Sequence, residues 1–179
     1  STRDDAAGEA YDKVSKVLGL GYPGGPIIDR LAADGDPNAF QLPLPLASTK
    51  EIEFSFSGLK TAAMTLIGKE TALGEEFPLA DLCASFQKAV VDSLMGKIKL
   101  AVKRTGVKRL TVSGGVAANS GLRAALAEYS RDRGVELFLP PRGMCTDNAV
   151  MIAAAGYSSY MRGNRSDLHL SPNPSWSIW

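Results

Sequence analysis

Apolar residues recur at intervals of three and four along much of the chain, which is the spacing of a helix that buries one face. The clearest run follows Asp4 and Asp5, which are typical helix-capping residues, and stops before Gly19. Ser57 precedes another run and is expected to cap it. The predicted helices cover residues 7–18, 26–31, 58–66, 79–104, 119–133 and 146–161.

Strand patterns lie between these helices. Residues 51–58, EIEFSFSG, alternate apolar and polar side chains, which is typical of a half-buried strand. Short apolar runs at 108–112 and 135–139 predict two further strands. The prolines of residues 34–48 indicate an extended connection, and residues 164–179 form a tail without a clear period. The alternation of helices and strands predicts an α/β fold.

Size and charge narrow the class of protein. With 179 residues and 45% hydrophobic content, the chain is long enough to bury one core. The formal net charge is +1, which does not indicate a protein that wraps a polyanion. A solvated face, rather than a phosphate-binding surface, is the expectation for the lysines of the longest predicted helix. These lysines are Lys88, Lys97, Lys99 and Lys103.

The cysteines and the apolar runs bear on location. Cys83 and Cys145 are the only cysteines and form no C-x-x-C pair, so we expect buried thiols in a reducing cytoplasm. Apolar runs reach neither the length nor the continuity of a membrane span, and the first ten residues lack the pattern of a signal peptide. The sequence therefore predicts a cytoplasmic protein without a membrane segment.

The segment RLTVSGGVAANSGLRAAL, residues 109–126, has a strand, two glycines and a helix in succession. Such a turn exposes backbone N–H groups near a helix N-terminus, and Gly114 and Gly115 let a flat or anionic ligand approach the backbone. Asn119 is able either to cap the helix or to bind a ligand. A plain αβ connection is the alternative. A dinucleotide-binding fold, with Glu136 as the ribose ligand, is a further alternative, although GGVAANSG does not match G-x-G-x-x-G.

Two other segments carry candidate polar residues. In MCTDNAVMIAAAGY, Thr146 is the expected N-cap and Asp147 lies in the first turn, where a carboxylate could hold a metal or a ribose or simply favour the helix start. In DDAAGEAYDKV, Glu9 and Asp12 lie on neighbouring faces of one helix, either as acceptors for ligand hydroxyls or as ordinary surface charges.

Five blocks between residues 4 and 157 together resemble the carboxyl-terminal half of the universal tRNA threonylcarbamoyl transferases, formerly described as O-sialoglycoprotein endopeptidases or glycoproteases. The blocks are DDAAGEAYDKVSKVLGLGYPGGP, FSFSGLKTA, SFQKAVVDSL, VSGGVAANSGLR and MCTDNAVMIAAAGY. The resemblance implies one ribonuclease-H-like lobe of the actin-like ATPase fold, over residues 1–163, with the other lobe and a phosphate-binding hairpin absent. It implies transfer of a threonylcarbamoyl group from threonylcarbamoyl-AMP to the adenosine next to the anticodon, in tRNAs that read codons beginning with A.

The resemblance also assigns roles to residues. It implies that Asp12, Gly25 and Asn119 bind the substrate, which is ATP or threonylcarbamoyl-AMP. Glu9, Gly114 and Gly115 would lie at the nucleotide, and Asp147 would be a ligand of one divalent metal, either iron or zinc. The partners implied are tRNA, a smaller paralogous subunit and an accessory ATPase.

One departure limits the resemblance. The family's other metal ligands are the histidines of an H-x-x-x-H motif, whereas this chain has only His169. We therefore expect a fragment that neither retains metal nor transfers the group alone, and whose shortened sheet favours a homodimer. A non-catalytic lobe that binds a paralogue is the alternative function. A metallopeptidase is a weaker one, because no H-E-x-x-H or Ser-His-Asp set is visible.

Overall fold

A computed structural model describes residues 2–73 and 78–173 and divides into two compact units, Ser1–Cys145 and Thr146–Trp179. The fold is mixed α/β with a small parallel sheet. The first unit contains α1 (Ala7–Val17), α2 (Gly24–Leu31), α3 (Ser57–Leu73), α4 (Leu79–Thr105), β1 (Arg109–Thr111), α5 (Ser120–Arg133) and β2 (Glu136–Phe138). The second unit contains α6 (Ala149–Met161). The predicted lobe of residues 1–163 stays a prediction.

The main core of the first unit lies among its first four helices. Tyr11 of α1 and Phe86 of α4 meet edge to face, with ring centroids 5.3 Å apart. Both rings are buried, together with Val14, Ile28 and Leu82. Burial of one such side chain contributes about 1.5–3 kcal/mol, so this contact fixes α1 against α4. The helical periodicity predicted from the sequence is confirmed here.

A two-stranded sheet forms the other part of the first unit. β1 and β2 are parallel and place Leu110 opposite Leu137. α5 connects the strands and packs on α4 through a second cluster of buried side chains, which are Val91, Met95, Leu122 and Leu126. The predicted strands at 108–112 and 135–139 are confirmed, although each is shorter. Because the strands are parallel, the segments that follow them leave from the same edge of the sheet.

The strand predicted for residues 51–58 is wrong. Only Phe54 forms a bridge, which is parallel and isolated, with Thr2. Burial follows the predicted alternation only in part: Phe56 is buried and its ring stacks on that of the half-buried Phe54 at 6.1 Å, whereas Ile52 is exposed. A strand needs a partner to pair its backbone groups, and the alternation of apolar residues does not supply one.

The predicted caps of α1 and α3 are also wrong. Ala6 occupies the N-cap position of α1 and makes no side-chain cap. Asp4 instead accepts hydrogen bonds from the backbone amides of Phe56 and Ser57, at 2.8 and 3.3 Å, and so serves the start of α3. Asp4 is thus a capping residue for a helix that begins more than fifty positions away.

Lys97 corrects the prediction that the lysines of α4 form a solvated face. Its side chain is buried, and Nζ donates to the carbonyl oxygens of Leu46 and Thr49, at 2.7 and 3.0 Å. It also donates to the Thr49 hydroxyl at 2.9 Å. The ammonium group therefore holds the connection between α2 and α3 against α4. The other lysines of that prediction, Lys88, Lys99 and Lys103, are exposed as expected.

In the second unit, α6 begins at Ala149, and Asn148 rather than Thr146 is its N-cap. Asn148 Oδ1 accepts from the Met151 amide at 3.0 Å. None of the residues of α6 is buried, although most are apolar. Residues 164–173 form no helix or strand, and the tail positions 174–179, including Trp176 and Trp179, lie outside the described residues. Within the described ranges, no helix has the length and apolar content that crossing a membrane requires.

Candidate functional site

Asp12 and the Pro-Gly-Gly turn lie together because α1 packs against the start of α2. The Gly24 amide donates to Asp12 Oδ1 at 2.7 Å. A Cβ atom on Gly24 would lie 2.5 Å from the Tyr11 carbonyl oxygen, so only glycine fits between the helices. The next residue, Gly25, has open space where a Cβ would lie. The space beside the Gly25 backbone is therefore open, next to the glycine that binds the Asp12 carboxylate.

The glycine loop, residues 113–118, follows β1. Gly114 has a φ of +93°, a conformation that side chains disfavour, and its carbonyl oxygen accepts from the Ala117 amide at 2.9 Å. Gly115 begins a short 3-10 helix that ends at Ala118. Both glycines are exposed, and the loop lies next to α1, since a Cβ on Gly8 would be 3.8 Å from Val116. The predicted strand, glycine turn and helix are confirmed, with the 3-10 turn interposed.

Asn119 is the N-cap of α5. Its Oδ1 accepts from the Leu122 amide at 2.9 Å, and its Nδ2 donates to Gln87 Oε1 at 2.7 Å. Only 8% of the residue is exposed. Of the two roles that the sequence left open, capping is therefore confirmed, and substrate binding by Asn119 stays a prediction.

Asp29 of α2 is a residue that the sequence analysis missed. Its Oδ1 accepts from the Ser120 hydroxyl at 2.6 Å and from the Asn119 Nδ2 at 3.1 Å, and both carboxylate oxygens accept from the Ser120 amide. Burial of Tyr11 raises the pKa of its hydroxyl, and the negative charge of Asp29 raises it further. The same hydroxyl accepts a hydrogen bond from the Asn119 Nδ2 at 3.4 Å. Asp29 therefore ties the helix that carries Gly25 to the start of α5. No local sequence pattern indicates this, because the partners are about ninety positions apart.

Arg123 of α5 is a second residue that the sequence analysis missed. Its Nε donates to the Ala117 carbonyl oxygen at 2.7 Å, in the glycine loop. Its Nη2 donates to the Pro140 carbonyl oxygen and lies 3.4 Å from Cys145 Sγ. Cys145 is buried, as is Cys83, and burial raises the pKa of the Cys83 thiol to about 11. The prediction of two buried thiols is confirmed.

Glu9 takes part in an ion-pair network on α1. Lys13 Nζ donates to Glu9 Oε1 at 2.6 Å and to Asp5 Oδ1 at 3.2 Å. Lys60 also donates to Asp5. This hydrogen bond and the one from Lys13 lower the pKa of Asp5 to about 2, although partial desolvation of the carboxylate acts to raise it. The network joins α1 to α3. A role for Glu9 at the nucleotide stays a prediction.

Asp147 is exposed and lies just before the N-cap of α6, in the second unit. Within residues 2–73 and 78–173, no three side chains of His, Cys, Asp or Glu are grouped so as to hold a metal ion. The residues present therefore do not fit a complete metal site. Asp147 remains a single candidate ligand.

The position of Glu136 argues against the dinucleotide-binding alternative. Glu136 is the first residue of β2 and receives a hydrogen bond of 3.0 Å from Arg109, the first residue of β1. Gly114 comes three residues after Thr111, the last residue of β1, so it lies beyond the opposite edge of the sheet. A ribose-binding carboxylate is required at the same edge as the glycine turn.

Comparisons with known proteins agree with the motif order. The family model described as tRNA N6-adenosine threonylcarbamoyltransferase matches residues 1–154. Proteins of that name from Anaeromyxobacter sp. (strain Fw109-5) and Dictyoglomus turgidum are 51% and 49% identical, over 99% and 97% of this chain. The chain spans about half the length of these curated relatives, 53% and 51%. The chain belongs to the tRNA N6-adenosine threonylcarbamoyltransferase family.

Proposed function

We propose that this chain supplies the adenosine-binding part of an enzyme that transfers a threonylcarbamoyl group from threonylcarbamoyl-AMP to tRNA. The observation that carries the proposal is the contact between Asp12 and Gly24, beside the open backbone at Gly25. The family membership and the exposed glycine loop support it. The same proposal includes the specific fold, which is a ribonuclease-H-like lobe of the actin-like ATPase superfamily.

The transfer balances without a further reactant. The exocyclic N6 amine of adenosine attacks the carbamoyl carbon, the bond from that carbon to the phosphate oxygen breaks, AMP leaves with the electron pair, and the amine loses one proton. Asp12 would accept hydrogen bonds from the hydroxyls of the nucleotide through Oδ2, since Oδ1 already accepts from Gly24. The exposed backbone of Gly114 and Gly115 would lie against the ligand. These contacts hold the donor in place for the attack.

The metal of the family remains a proposal. Asp147 would contribute one oxygen ligand to iron or zinc, and the described residues do not complete such a site. We expect the 179-residue chain to retain no metal after dialysis and to transfer no threonylcarbamoyl group by itself. Metal analysis of the purified chain tests this, and one metal per chain would contradict it.

The test of the proposed function is calorimetric titration with an ATP analogue. Asp12→Asn keeps an oxygen for the Gly24 amide but removes the carboxylate charge, so it should weaken binding while the fold persists. Asn119→Ser keeps an oxygen to cap α5 and removes the Nδ2 donor without placing a second carboxylate beside Asp29, and it should also weaken binding. Lys99→Met, an exposed substitution on α4, is the control. Equal affinity in all four proteins would contradict a nucleotide site here.

A binding lobe without catalysis is the second candidate. The exposed apolar side chains of α6 favour it, because Val150, Ile152 and Tyr157 are 57–67% exposed. The proposed protein partners are the smaller paralogous subunit, an accessory ATPase or a second copy of this chain. The proposed substrate is tRNA, and the proposed location is the cytoplasm. Light scattering at high concentration distinguishes a dimer from a monomer, and co-purification with the paralogue tests the other partner.

A further inference from the structure

Two segments leave the same edge of the sheet side by side. The glycine loop follows β1, and residues 140–145 follow β2, which runs parallel to β1. Each segment contains a short 3-10 helix, Gly115–Ala118 in the first and Arg142–Met144 in the second. Backbone groups within such turns pair locally, so the turns need a further contact to hold their mutual position.

Arg123 makes that contact. Its Nε binds the Ala117 carbonyl oxygen, its Nη2 binds the Pro140 carbonyl oxygen, and one rigid guanidinium group thus joins both segments. The carbonyl of Ala117 belongs to a buried residue of the glycine loop. Among the described residues, the ion pairs of the chain do not include Arg123. Carbonyl oxygens accept hydrogen bonds from the guanidinium group but do not neutralise it. Its positive charge therefore favours an anion near the loop.

We propose that Arg123 is a positioning residue, which holds the glycine loop and residues 140–145 in one arrangement for an anionic nucleotide. The identity of the ligand, an anionic nucleotide, rests on the proposed function. The same guanidinium group lies within 3.4 Å of Cys145 Sγ, and Cys145 is two positions before Asp147 in the sequence. Arg123 thereby also contacts the last residue of the first unit.

The experiment compares Arg123→Ala, Arg123→Lys and the control Arg131→Ala in the intact protein. Arg131 is exposed on the same helix. Hydrogen exchange is measured for residues 113–118 and 140–145, AMP affinity by calorimetry, and stability by urea unfolding. We expect Arg123→Ala to speed exchange in both segments and to weaken AMP binding about tenfold, the size of one charged hydrogen bond. Arg123→Lys keeps the charge and one contact, so its loss should be smaller, and Arg131→Ala should match the unmodified protein.

Each result decides the inference. Unchanged hydrogen exchange in either segment overturns the inference. So does a fall in AMP affinity that is fully explained by a smaller folded fraction of Arg123→Ala, as measured by urea unfolding. If Arg123→Ala does not fold, Arg123→Lys decides by the same two measurements. If the unmodified protein binds no AMP, the proposed nucleotide site is wrong, and exchange in the two segments alone decides whether Arg123 joins them.

Discussion

The carboxylate of Asp29 accepts hydrogen bonds from both the backbone amide and the hydroxyl of Ser120, at 3.0 and 2.6 Å. α2 and α5 are thereby joined at the point where α5 begins. The first amides of a helix lack partners within the helix, and Asn119 and Asp29 each satisfy one of them in this structure. The start of α5 is thus built from two distant parts of the chain.

Loss of the Asp29 carboxylate should destabilise the first unit. Asp29→Ala removes both carboxylate oxygens that accept hydrogen bonds from Ser120. We expect the free energy of unfolding to fall by about 2–3 kcal/mol, which is typical of hydrogen bonds to a charged group. Asp29→Asn keeps one acceptor oxygen and should lose about half as much. Urea unfolding measures both. The exposed Asp132→Ala is the control, and equal midpoints for Asp29→Ala and this control would refute the role.

Two neighbouring glycines should respond differently to alanine. A Cβ on Gly24 would meet the Tyr11 carbonyl oxygen at 2.5 Å and Ser15 Cβ at 2.6 Å, so Gly24→Ala should cost about 1–3 kcal/mol through overpacking. Gly25→Ala meets no atom within 4 Å and should leave the thermal midpoint nearly unchanged. Thermal unfolding compares the two. If Gly25→Ala also weakens nucleotide binding, the effect is at the ligand rather than on the fold.

The ion pair between Asp5 and Lys60 should make stability depend on acid pH. The hydrogen bond from Lys60 lowers the Asp5 pKa from 3.8 to about 2, so the folded state binds this proton less tightly than the unfolded state. Its contribution is present above pH 4 and is lost as the pH falls toward 2. Thermal unfolding between pH 5 and pH 2 should therefore show a smaller drop in Asp5→Asn than in the unmodified chain.

A double-mutant cycle identifies the partner in that ion pair. Lys60→Met should reduce the same acid dependence, and the double variant should show little further change, because both substitutions remove one interaction. Independent, additive effects of the two substitutions would show that Asp5 owes its acid response to another group.

The buried ammonium of Lys97 should stabilise the connection between α2 and α3. Lys97→Met leaves the carbonyl oxygens of Leu46 and Thr49 without this donor, and we expect a loss of about 1–3 kcal/mol with faster proteolysis near residues 44–50. Lys99→Met, two positions along and exposed, is the matched control. Indistinguishable digestion of the two variants would contradict the role of Lys97.

Helices were predicted better than strands, and the reason is physical. The 79–104 prediction nearly coincides with Leu79–Thr105, because a helix pairs its backbone within one segment and its apolar spacing shows which face is buried. Residues 51–58 have equally regular alternation, yet only Phe54 finds a partner. A strand is completed by another segment, so its pattern alone is insufficient.

The sequence by itself determined the family, the order of the main elements and the glycine turn at Gly114, and it placed Asn119 at the start of a helix. These depend on residues close together in the chain, where one backbone conformation or one adjacent helix start decides the residue type. Only the tertiary structure decided that Asp29 holds Ser120, that Arg123 joins two loops and that Lys97 is buried. Each of these contacts depends on packing that brings distant or separate segments together, because a polar side chain can be buried only where such packing supplies its hydrogen-bond partners.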